Sequence, residues 1–157
     1  MVPQSVLELV VLGAPPDSFS KPWPVDTATD VRVTELAFAQ LDTVIRETRA
    51  TRIEQAWCVA DFLVEFVHGR RVITLGRLER SSRVARADSL HIWSGGRGLC
   101  ESESVPGLHS HLVWANGWLY FPSDVDLETA RSGDAQFSLL ISAGDGRVPR
   151  LTVYALQ

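Results

Sequence analysis

The chain has 157 residues, 45% of them hydrophobic and 22% charged, which fits one domain of a soluble globular protein with enough length for a substantial core. A net charge of −4 lacks the basic excess of nucleic-acid binders, so no such partner is expected. No apolar run reaches the roughly 20 residues of a membrane span. The opening "MVPQSVLELVVLG" has no basic leader and is interrupted by Glu8, so a cytoplasmic protein without a membrane partner is expected.

"SVLELVVLG" (5–13) is rich in β-branched residues and predicts a strand. "APPDSFSKPWPVD" (14–26) predicts a loop, with Trp23 between two prolines packed on the domain surface. In "VRVTELAFAQLDTVIRETRATRIEQ" the period changes: Leu36, Phe38, Leu41, Val44 and Ile45 recur at helical spacing. Thr34 fits an N-cap, and the helix is expected to end near residues 49–51. "AWCVADFLVEFVHGRRVITLGRLE" (56–79) predicts two or more strands turning at "HGRR".

"RSSRVARADSLHIWSGGRGLCESES" is polar, with "LHIW" as a short strand, and its arginines fit a solvated surface. "VPGLHSHLV" (105–113) predicts another strand, and "ANG" (115–117) carries a hairpin signal. "PSDVDLETARSGD" (122–134) predicts a short helix stopped by Ser132-Gly133, and "QFSLLISAGDGRVPRLTVYAL" a terminal hairpin. Together these elements predict an α+β domain with a mixed sheet. Cys58 and Cys100 could form one bridge but read best as small buried residues.

Two spacings carry candidate chemistry. His109 and His111 lie two apart on a predicted strand, so both imidazoles point to one side and could share a metal ion. The same pair also fits two polar residues on an exposed strand face. Ser123 and Asp126 have the S-x-x-D spacing of a capping box, which alone needs no function.

"His109-Ser110-His111" followed by "Pro122-Ser123-Asp124-Val125-Asp126" resembles the signature of the JAB/MPN (JAMM) zinc metalloproteases. That family also carries a glutamate at the start of the strand after the first long helix, which Glu54 in "RIEQAWCVADF" matches. Glu65, inside the apolar strand segment, is the competing glutamate. The chain departs from the pattern at Leu112, where proline is common, and in the longer stretch between His111 and Ser123, expected as an enlarged loop at the site mouth.

The resemblance implies a single domain over 1–157 with a JAB/MPN-type mixed sheet flanked by helices, a layered arrangement like that of cytidine deaminases. It implies one catalytic Zn2+ held by His109, His111 and Asp126. Glu54 would be the general base, and Ser123 the donor to the oxyanion. Trp114 and Trp118 would finish the core or wall a groove for a substrate tail. The activity implied is cleavage after the C-terminus of a ubiquitin-like protein in a bacterial conjugation or antiphage-defence system, with that modifier and E1-like and E2-like proteins as partners. Two other readings stand beside it: a peptidase for a phage-tail, cell-wall or sulfur-carrier precursor substrate, and a metal-free scaffold that binds a protein.

Overall fold

A computed structural model describes residues 7–13, 23–88, 92–93, 98–102, 104–112, 122–123, 126, 129, 134–154 and 156. The order is β1 (Glu8–Val11), β2 (Thr29–Val33), α1 (Glu35–Thr51), β3 (Ala56–Val67), β4 (Arg70–Arg80), β5 (Arg86–Ala87), β6 (Ile92–Trp93), β7 (Gly107–Leu112), β8 (Ser138–Ala143) and β9 (Arg150–Tyr154). Seven strands form one mixed sheet ordered β1-β9-β8-β7-β3-β4-β2, and β5 pairs with β6 apart from it.

The expectation of a helix-flanked α+β sheet of JAB/MPN type is overturned. The protein is mostly strand, and α1 is the one helix that reaches element length among the described residues. The sheet also nearly closes on itself into a barrel-like form. Its two edge strands, β1 and β2, come together through the segment that leads into β2. Leu12 bridges to Val25, Asp26 N–H donates to Val11 O, and Gly13 N–H donates to Pro24 O. This closure leaves the sheet fewer unpaired backbone groups at its edges.

The curled sheet wraps around one face of α1. Ala37, Leu41, Val44, Ile45 and Thr48 are buried, and the apolar ones pack with Trp57, Val59, Ile73, Leu75, Leu108, Leu139, Ile141 and Val153. Leu36 and Phe38 flank this stripe and stay exposed, because each neighbour along a helix is turned by about 100°. Thr34 caps the helix as expected, its hydroxyl accepting from Ala37 N–H. Arg52 ends it in the left-handed conformation.

The strand β2 was not expected, because "VRV" runs straight into the helix and its few residues merge with the amphipathic pattern. The β3–β4 hairpin turns at His68 and Gly69, both at positive φ, the conformation that suits a two-residue turn. Trp23 packs edge-on against Tyr154, as a surface-packed loop residue should. The basic stretch around the hairpin is largely paired: Arg70 with Asp30, Arg80 with Glu47, and Arg77 with Glu79. Cys58 and Cys100 are bonded to each other rather than free, because β3 runs beside the segment that enters β7.

Candidate metal centre

Alternation along β7 separates two jobs. Leu108 faces α1 within the core, and Ser110 is tied to Thr48 of that helix. His109 and His111 therefore face the other way. The neighbouring strand β8, parallel to β7, places Leu140 opposite His109 and Ser142 opposite His111. The buried Leu140 and Tyr154 pack together on this second side of the sheet.

Asp126 completes the cluster from outside the sheet. It and Thr129 have helical conformation, and the capping box anticipated from the sequence is formed reciprocally. Ser123 N–H donates to Asp126 Oδ2 at 2.8 Å, and Asp126 N–H donates to Ser123 Oγ at 3.2 Å. The cap is thus part of the site, because it fixes the carboxylate that meets the histidines.

The three donors are close together. His109 Nε2 lies 3.2 Å from His111 Nε2 and 3.1 Å from Asp126 Oδ1. His111 Nε2 lies 3.3 Å from Asp126 Oδ2. A tetrahedral ion with bonds of about 2.0 Å separates its ligands by roughly 3.3 Å. The observed separations are of that order, the two to Asp126 being made by its two different carboxylate oxygens, and two imidazoles with one carboxylate are a donor set common at metal centres. His109, His111 and Asp126 together could hold a metal ion.

Glu54 stands at the edge of this group, its Oε1 3.6 Å from His111 Nε2. It is only 7% exposed, a degree of burial that leaves an ionised carboxylate poorly hydrated. Burial raises its pKa to about 7; His111 opposes the shift, and the Asp126 and Asp88 carboxylates add to it. Burial also acts upward on Asp126, but His109 and His111 outweigh it and hold that carboxyl well below its ordinary value. Without a metal ion, Asp126 thus stays charged, whereas Glu54 can gain or lose a proton near neutrality.

Glu65, the competing glutamate, is exposed far along β3, opposite Val72, and takes no part. Trp114 and Trp118 lie outside the described residues, as do "ANG" and most of the long stretch after Leu112. Sequence reasoning missed Asp88. Its carbonyl accepts from Glu54 N–H at 2.9 Å, and its carboxylate helps raise the Glu54 pKa. No local motif announces a residue that reaches the site from a loop 34 positions later. Compared with protein-family models, curated proteins and solved structures, the chain matches none.

Asp126→Ala removes one donor and the only carboxylate among the three. Metal affinity is expected to fall by more than the roughly 10–100-fold that follows loss of an outer hydrogen-bond partner. A competition titration against a chromophoric chelator measures this. Wild-type affinity in the variant would remove Asp126 from the ligand set.

Proposed function

We propose that this protein is a zinc-dependent hydrolase of amide or isopeptide bonds, with chemistry of the JAB/MPN type. The observation that carries this reading is the convergence of the His109 and His111 Nε2 atoms on the Asp126 carboxylate, with the buried Glu54 beside them. Two imidazoles and a carboxylate fit zinc by donor chemistry. Held by these three residues, zinc would supply Lewis acidity to the site.

The chain's own residues supply the rest. Glu54 accepts a proton at its carboxylate and returns it to the leaving amine. Ser123 Oγ accepts from Asp126 N–H, so its hydroxyl proton remains available for a developing oxyanion. A preorganised donor of this kind contributes about 3–4 kcal/mol. Asp126 keeps its charge and secures both histidines.

The H-S-H and S-x-x-D motifs with the upstream Glu54 favour a ubiquitin-like protein, extended or conjugated at its C-terminus, as the substrate. On this reading E1-like and E2-like proteins work beside it in bacterial conjugation or defence. The test uses metal analysis of the purified protein and intact-mass analysis of a ubiquitin-like protein with a C-terminal extension. About one zinc per chain is expected, with cleavage that a chelator stops and added zinc restores. A protein that takes up no zinc would be the metal-free scaffold instead. Zinc uptake with cleavage of other peptides alone would move the substrate to the precursor class.

A further inference from the structure

Ser110 sits between the two histidines in sequence but points away from them, and it is fully buried. Its hydroxyl oxygen accepts from Gln55 N–H at 2.7 Å and lies 2.7 Å from Thr48 Oγ1. Thr48 is also fully buried, and its hydroxyl is 2.8 Å from Val44 O. Thr48 has one proton, and a carbonyl can only accept. Thr48 therefore donates to Val44 O, and Ser110 donates to Thr48 Oγ1. Every member of this buried chain is then satisfied: Gln55 N–H to Ser110, Ser110 to Thr48, Thr48 to Val44.

The chain has a consequence for Glu54. Gln55 N–H belongs to the peptide group that begins at the Glu54 carbonyl, so the Ser110 hydroxyl sets the orientation of that peptide. Ser110 N–H also donates to Gln55 O at 2.9 Å, which holds Gln55 from both of its backbone groups. Asp88 O holds the other side of Glu54 through its N–H. Glu54 lies between α1 and β3, just before the strand pairing of Ala56 with His109 begins, so regular ladder bonds do not fix it.

We propose that Ser110 is a positioning residue: its hydroxyl ties the Glu54–Gln55 peptide and the end of α1 to the strand that carries His109 and His111, so that Glu54 and the metal ligands keep one mutual geometry. The role deepens the hydrolase reading and rests on it for its effect on rate. Its hydrogen-bond content stands without that reading. Ser110 works through Glu54, not through the ion, because its side chain faces the helix.

The experiment combines turnover of the extended ubiquitin-like protein, zinc titration and amide exchange. Ser110→Ala should lower kcat about tenfold, with KM and zinc affinity unchanged, since a misplaced general base weakens only the proton-transfer step. Ser110→Thr, which restores the hydroxyl, should recover most of it. In the Glu54→Gln background Ser110→Ala should cost nothing further, as residues acting through one group are not additive. Full additivity there, or a loss of zinc that accounts for the lost rate, would overturn the proposal.

Exchange of the Gln55 amide should quicken at least tenfold in Ser110→Ala, and wild-type protection would overturn the proposal whatever the turnover. A wild-type protein that binds zinc yet cleaves nothing would end the hydrolase reading alone, and Gln55 exchange would still decide the hydrogen-bond role. If Ser110→Ala does not fold, Thr48→Val removes the helix end of the chain and leaves Ser110 in place. It should loosen the last turn of α1 and lower kcat about threefold at full zinc occupancy. Unchanged kcat and exchange in that variant would overturn the tie.

Discussion

Glu54→Gln is expected to retain zinc and lose hydrolysis by about 10²–10⁴-fold, the range that a general base contributes. The amide keeps the shape of the side chain beside His111 but can no longer take a proton. Metal content and single-turnover cleavage measured on one preparation test both halves together. Full activity would remove Glu54 from the mechanism, and lost zinc would make it a ligand.

The same variant carries a stability signature with a defined sign. The Glu54 carboxyl has a pKa of about 7 in the folded protein against an ordinary 4.5. Below pH 4.5 it is neutral in both states and costs nothing. As pH rises from 4.5 through 7 the unfolded chain ionises first, and folding loses about 3 kcal/mol. Metal-free Glu54→Gln should therefore be more stable than wild type by about that amount at pH 8 and no more stable at pH 4. Urea midpoints at the two pH values check this. Equal stability at pH 8 would mean that Glu54 is hydrated in the folded protein.

Breaking the Cys58–Cys100 bond should have a comparable effect. The two cysteines are 42 residues apart in sequence, and closing a loop of that length restricts the unfolded chain by about 4 kcal/mol. The bond holds together a region that the hydrogen bonds also secure: Ser81 Oγ–H donates to Leu99 O, and the Arg83 guanidinium donates to Cys100 O. The Cys58→Ser/Cys100→Ser double variant should unfold at markedly lower urea, and a dithiol reductant should bring wild type to the same midpoint. A reductant-insensitive midpoint would show that the bond contributes nothing. Cys58 lies opposite Gly107, two residues before His109 on β7, so zinc affinity measured in the reduced protein shows whether the loss stays global or reaches the ligands.

Much of the local structure was legible. The change from period two to period 3.6 located α1, Thr34 announced its start, and the His68-Gly69 turn announced the β3–β4 hairpin. These signals are local, because a cap, a turn or an amphipathic face needs only neighbours in sequence. Residues 5–13 and 136–156 gave their strands for the same reason. The strand β2 was hidden because it ends two residues before the helix and is too short to establish its own period. Cys58 and Cys100 gave no pairing signal, since the contact depends on which segments of chain lie side by side.

The candidate site divides along the same line. The sequence alone supplied the H-S-H alternation that points His109 and His111 to one side, and the S-x-x-D spacing that closes into a cap. The family pattern put Glu54 ahead of Glu65, but nothing local could measure how closely these residues meet or show that Ser110 reaches α1 from between the ligands. Those are distances across the fold. Only the curling of the sheet around α1, with β3 and β8 on either side of β7, decided them, and the same curling replaced the expected helix-flanked layers. Local patterns fix which way a side chain leaves its strand; the packing of strands distant in sequence fixes what it meets.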